Sequence, residues 1–269
     1  MGIVNTMLAA NLGREAISAV GMVDAINMIA VSLFSALAIG GTVVIAQYTG
    51  KNDAKMVNSA ASQALASCFI ISVLLTLLVY FFRQPLLHMM FSDAEPQVLA
   101  MSLTYLSISL WSYLPIALIV MSFGILRGSG DTRTPMIVSI LMNFLNVIFS
   151  YTLIYGIRIG QLQTPAFGVA GAAWGLTLAR LAGAGLIMAS LFRGSRGVQI
   201  RGPRGFRFEP ELQKCIFGLG IPASAEQLMF NGGKLLVQTF IVSLGTVSIA
   251  ANTLDRKSTR LNSSHGIIW

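Results

Sequence analysis

Charge is what this sequence has least of. Asp, Glu, Lys and Arg make up 10% of its 269 residues, while 55% are hydrophobic. A soluble domain carries roughly a quarter charged residues and needs a polar surface around its core. So little charge cannot provide that surface, which excludes an ordinary soluble fold and makes lipid the natural solvent. Cysteine is scarce too. Cys68 and Cys215 lie in or beside apolar runs and form neither a disulfide framework nor a metal cluster. His88 and His265 are isolated, without ligand spacing. No glycine-rich loop runs into Lys-Ser or Lys-Thr. The nearest string, GSGDTRTP at 128–135, lacks the lysine and a preceding strand, so ATP-driven transport is not expected. No His/Asp or Cys/His constellation suggests an enzyme, and no cofactor is expected. The chain opens MGIVNTMLAANLG, without the basic region of a signal peptide, so insertion is expected to rest on the apolar segments themselves.

Long apolar runs are what is present. Mean hydropathy is +0.73. Six stretches stand out, at 16–46, 57–82, 98–126, 134–155, 166–192 and 215–244, with a stub at 2–11 and a partial run from 249 that stops at Asp255. Several exceed the ~20 residues that cross hydrocarbon, so tilt or extension past the bilayer is expected. The pattern predicts an all-α fold, a polytopic transmembrane helical bundle. Twenty-six glycines suit close helix packing. Gly40-Gly41, and Gly168, Gly171 and Gly175 with Ala172 and Ala173, read as packing faces. The connectors at 11–15, 49–55, 92–97, 127–135, 155–165 and 193–214 are mostly short. Asp93 with Pro96 and Asp131 with Pro135 are helix-start signals.

Basic residues alternate between connectors. Lys51, Lys55, Arg127, Arg133, Arg193, Arg196, Arg201, Arg204, Arg207 and Lys214 make ten on one side. Arg14, Arg83 and Arg158 make three on the other. The positive-inside rule then puts the first set in the cytoplasm, with the chain crossing the membrane several times. The net charge of +8 is thus a topology signal, and the partner is the lipid bilayer rather than nucleic acid. LGREAISA at 12–19 is echoed by LGTVSIAA at 244–251, which fits a duplicated transporter architecture. The polar string DRKSTRLNSSHGIIW at 255–269 breaks the pattern and reads as a non-native tail, like translated adapter sequence. The domain reading is a first lobe at 1–192, a loop at 193–214, the start of a second lobe at 215–254, and that tail.

Ionisable groups within spans are costly and mark function by default. Asp24, Arg180, Glu226 and Lys234 qualify. Glu226 follows Pro222 by four residues, so a kink is expected beside a carboxylate able to carry a proton or help form a sodium site. A solvated carboxylate near a helix start is the plain alternative. Lys234 either biases the local field or snorkels. Asp24 and Asn27 share a helix face as a pore-lining pair or mark the outer interface. Arg180 pairs with a carboxylate across the bundle or organises packing. Asn5, Asn143, Asn146, Asn231 and Gln238 are amides in apolar surroundings, facing substrate, water or each other. Pro115, mid-span, is a candidate kink for gating.

The stretches LGREAISAVG (12–21), IAQYTGKND (45–53), ILRGSGDTRTPM (125–136), NFLNVIFSYTLIYG (143–156), GVAGAAWGLTLAR (168–180) and GIPASAEQLMF with VQTFIVSLGTVSIAAN (220–252) resemble, in order and spacing, the multidrug and toxic compound extrusion (MATE) transporters. The resemblance implies twelve helices in two six-helix lobes. Drugs or other organic compounds, often cationic, would leave in exchange for sodium or protons, through a monomer. This chain would be the first lobe, with helix one truncated, plus helix seven. Glu226 matches a helix-seven glutamate of many bacterial members, and Asn143 and Asn146 match asparagines of the first-lobe cavity. One departure stands out. Members often carry an Asp in a pattern like VDxxxxGxLG, where VNTMLAANLG has Asn5. An amide carries no proton and is no anionic sodium ligand. That implies different coupling, reliance on Glu226, or a non-drug substrate such as a lipid-linked sugar. A scaffold without transport is the opposing class.

Overall fold

The protein is described from a computed structural model covering residues 13–90, 96–156, 158–159, 162–163, 166–194 and 209–243. Among the described residues seven α-helices follow one another: α1 Arg14–Gly50, α2 Ala54–Met90, α3 Pro96–Ser109, α4 Tyr113–Gly128, α5 Arg133–Tyr155, α6 Gly168–Arg193 and α7 Pro210–Ser243. A 3-10 turn, Leu110–Ser112, joins α3 to α4. By length and composition five segments can cross a membrane: α1, α2, the α3–α4 run, α5 and α6. They coincide with the first five predicted stretches, and α7 with the sixth. α1 and α2 have 37 residues each. That is about 55 Å of helix, well beyond a hydrocarbon core of ~30 Å.

Local chemistry explains the boundaries. Pro96 opens α3 at a position whose backbone N–H would go unbonded anyway. Asp53 accepts from the Met56 amide at 3.0 Å and so starts α2. Asp131 is more elaborate. Its Oδ1 accepts from the amides of Arg133 and Thr134, each at 3.1 Å, and its Oδ2 accepts from the Thr134 hydroxyl at 2.7 Å. The polar string at 128–135 is thus a helix start rather than a ligand loop. Two boundaries differ from expectation. α7 begins at Pro210, inside the predicted loop 193–214, because its first turns bury Leu212, Gln213 and Ile216. The 155–165 connector carries an antiparallel pair, Arg158–Ile159 with Leu162–Gln163, while the other elements among the described residues are helical.

The helices pack around α1 and α4, which lie against each other; α1 also packs on α2 and α3, and α4 on α2 and α6. α5 packs mainly on α6. Lipid tails are as apolar as leucine, so close approach and van der Waals contact must hold helices together. The glycines supply it. A Cβ on Gly175 would sit 2.6 Å from the Cα of Ser150, so only glycine lets α6 lie this close to α5. The opposite faces are left for lipid. Phe69, Ile70, Leu74, Leu77 and Phe81 of α2, and Ile137, Ile140, Phe144 and Ile148 of α5, are exposed. Hydroxyls within the helices bond back to carbonyls one turn earlier, as in Thr42 to Ala38 (2.7 Å) and Thr177 to Ala173 (2.8 Å). Polar groups are carried through an apolar medium that way.

The chain divides into two compact units, residues 1–224 and 225–269. Everything from α1 to the first turns of α7 belongs to the first.

Candidate functional site

The break between α3 and α4 organises the interior. Pro115 has no N–H to give the carbonyl of Trp111, so the regular helix ladder fails here and a 3-10 turn takes its place. Serine hydroxyls bond back to carbonyls around the turn: Ser109 Oγ donates to Leu106 O at 3.0 Å and Ser112 Oγ to Ser109 O at 2.6 Å. Pro115 itself is buried. The 3-10 turn ends three residues before the proline.

Arg180 of α6 reaches this break. Its Nη1 donates to Ser112 Oγ at 2.6 Å. The residue is 8% exposed, and its Nε has no hydrogen-bond partner. It interacts electrostatically with Tyr105 of α3, Tyr113 of α4 and Asp24 of α1. No ion pair forms between Arg180 and Asp24; Asp24 acts on Arg180 only through its charge, while Ser112 is the residue that Arg180 hydrogen-bonds. Asp24 is half-buried, with Asn27 one turn further on and close enough to interact. Asn27 is 5% exposed, and neither of its amide atoms reaches hydrogen-bond geometry with a partner. The Tyr113 hydroxyl is likewise buried and unbonded. An acid, a base and several buried polar atoms with spare capacity thus share one layer of α1, α3, α4 and α6. Such a layer can exchange an ion or a proton where hydrocarbon would exclude one.

The other candidates fall elsewhere. Asn146 is fully buried, with Nδ2 3.2 Å from Ser150 Oγ and Oδ1 unbonded. Asn143 is exposed and donates to Ser139 O at 2.8 Å. The two asparagines thus lie one turn apart on α5, Asn146 within the packed face and Asn143 beyond its edge. Glu226 sits on α7, exposed, within the second unit. Pro222 lies inside the same helix, also exposed, and Ser224 Oγ bonds Gly220 O at 2.7 Å just after it. Asn5, the echo at 244–251, the 255–269 tail and the side chains of Asn231, Lys234 and Gln238 lie outside the described residues, so a sodium site near Glu226 stays an expectation. Among the described residues no three His, Cys, Asp or Glu side chains gather as metal ligands.

A second polar group escaped the sequence reading. Gln213 of α7 donates from Nε2 to Gln63 Oε1 at 2.8 Å, and its Oε1 accepts from Ser67 Oγ at 2.7 Å. One turn earlier Ser59 Oγ donates to Glu209 Oε1 at 2.8 Å. Residues 59, 63 and 67 form one ladder on α2, 209 and 213 its partner on α7. A glutamine in the α2 span was the available signal. Its partner was hidden inside a predicted loop.

Comparison with known proteins accounts for this architecture. The MatE family model matches residues 1–152. An uncharacterised transporter of Bacillus subtilis, YisQ, is 29% identical over 96% of this chain and 55% of its own length. A probable multidrug resistance protein of Thermotoga maritima, NorM, is 28% identical over 94% of this chain and 53% of its own. Among solved structures, MATE in a bent conformation superposes with a TM-score of 0.85 at 25% identity, covering 97% of this chain and 56% of that one. A MOP superfamily transporter from Pyrococcus furiosus, described as having a binding pocket of reverse polarity, gives 0.84 at 26%, covering 96% and 55%. The chain spans about half the length of the relatives it matches. With its packed first-lobe helices and a seventh beyond them, it belongs to the MATE family of membrane transporters.

Proposed function

We propose that the full-length protein is a secondary antiporter that exports drugs or other organic compounds, exchanging them for sodium or protons moving inward. Its loops rich in lysine and arginine would face the cytoplasm, and it would work as a monomer in the inner membrane. The observation that carries this reading is the buried layer formed by Asp24, Asn27 and Arg180 inside a MATE first lobe. A titratable acid held in the interior of a membrane bundle is what ion coupling requires. Asn5 supplies no such acid in helix one. Asp24 supplies one on α1, and Glu226 is the candidate on α7. Half a family member would not alternate between two openings by itself, so transport belongs to the complete gene.

The direct test is ethidium accumulation in a bacterium lacking its own efflux pumps. Cells expressing the complete gene should accumulate several-fold less dye than cells with empty vector, and Glu226→Gln should abolish the difference at equal membrane abundance. Unchanged efflux by that variant would remove Glu226 from coupling.

A second reading has one observation in its favour. Arg180 gives the first lobe a permanent interior positive charge, which suits an anionic or sugar-phosphate substrate better than a cation. It predicts no ethidium efflux even though an ion still binds at Asp24.

A further inference from the structure

Arg180 is the only buried base among the described residues. A guanidinium keeps its charge under all relevant conditions and offers five donors. Here a single neutral hydroxyl, on Ser112, is its hydrogen-bonded partner, at 2.6 Å, and Nε is left over. A buried charge so thinly compensated needs an anion in its surroundings.

Helix register brings Asp24 into those surroundings. α1 and the α3–α4 run lie side by side, fixed by two contacts. Ser102 Oγ lies 3.5 Å from Ala19 O near one end, and the rings of Phe34 and Tyr113 meet edge-on at 6.3 Å near the other. Asp24 and Asn27 fall between those contacts on α1. Ile108 and Ser112 fall between them on, or just after, α3. α6 reaches the same layer, with Thr177 Oγ1 3.5 Å from Ile108 O and Arg180 one turn on at Ser112. The described ionisable groups facing this layer are Asp24 from α1, Tyr105 from α3, Tyr113 from α4 and Arg180 itself.

We propose that Arg180 is a positioning residue for ion coupling, an internal cation that competes with the transported ion for Asp24 and rests on Ser112 once that ion is bound. The inference rests on the antiport reading above. When Asp24 is ionised and empty, the guanidinium is drawn towards it, strongly so in a medium of low dielectric. A sodium ion or a proton neutralises the carboxylate and ends that attraction, with the unbonded Asn27 amide oxygen available to a sodium ion. Arg180 then has Ser112 as its remaining partner, at the turn that Pro115 imposes. The charge state of Asp24 is thereby communicated to the one irregular turn between α3 and α4.

The test uses the purified full-length protein and needs no knowledge of the exported compound. Ion binding is followed by calorimetry, in one arm with NaCl in choline buffer at fixed pH and in the other with acid in sodium-free buffer. Wild type should bind one of these ions, and Asp24→Asn should lose that binding. Arg180→Gln, which keeps a donor for Ser112 without the charge, should bind the ion about tenfold more tightly or better, because the competitor is gone. Arg180→Lys should stay near wild type, which a purely structural role would not predict. Arg180→Met serves as a second uncharged variant and should match Arg180→Gln. An unchanged midpoint in folded Arg180→Gln or Arg180→Met, beside Asp24-dependent binding in wild type, would overturn the competition and leave antiport standing. Absence of Asp24-dependent binding of either ion in wild type would sink coupling at Asp24, and the proposal with it.

Discussion

Asn27 is the most informative single residue, because its buried amide makes no hydrogen bond of good geometry and lies close enough to Asp24 to act on its carboxylate. Burying an unbonded amide costs about 1–3 kcal/mol. Asn27→Leu should therefore leave the melting temperature of the full-length protein unchanged or raise it, while weakening ion binding at Asp24. A structural asparagine would do the reverse, losing stability with no effect on the ion. Asn143→Leu is the control. Its amide bonds a carbonyl of its own helix and faces outward, so stability should move by no more than ~0.5 kcal/mol. At this scale the sequence was partly legible. Asp24 and Asn27 stand out as polar residues in an apolar span and do face one layer. Asn143 and Asn146 have the same i,i+3 spacing, yet the edge of the packed face of α5 falls between them. Such spacing says two side chains are near, not which of them points inward. Tyr105 and Tyr113 gave no warning, since an aromatic residue in an apolar run reads as packing.

Helix spans were the most legible elements, because a long apolar run leaves few alternatives to a membrane helix. Their ends were less so. Asp131 and Pro96 mark starts by chemistry visible in the sequence, whereas α7 starts early because buried Gln213 finds Gln63 and Ser67, some 150 residues away. No local pattern encodes that. Truncating Gln213 to Ala would remove its buried bonds to Gln63 and Ser67, at a cost of about 1–3 kcal/mol. Thermal unfolding of the complete protein should report the loss. Losing the start-box carboxylate in Asp131→Ala should cost about 1 kcal/mol. Closest of all is the seam between α5 and α6. Gly175→Leu would drive a side chain into the Ser150 backbone, so α5 must shift, at a cost of about 3 kcal/mol or more. The expected result is poor recovery of folded protein from detergent. Normal yield and melting would mean that the two helices are not held this close.

The whole molecule explains the composition. A bundle whose outer faces carry phenylalanine, isoleucine and leucine has no use for a charged surface, so its few ionisable groups are concentrated at connectors, helix starts and one interior layer. In that layer Arg180 joins α6 to the α3–α4 break. The most direct measurement is ion flux through the complete protein reconstituted in liposomes, with ethidium loaded on one side and a sodium or proton gradient imposed across the membrane. The account predicts that ions flow down their gradient as ethidium moves against its own, and that Asp24→Asn stops both movements together while the protein stays folded. Coupled flux that continues unchanged in the folded Asp24→Asn protein would contradict it.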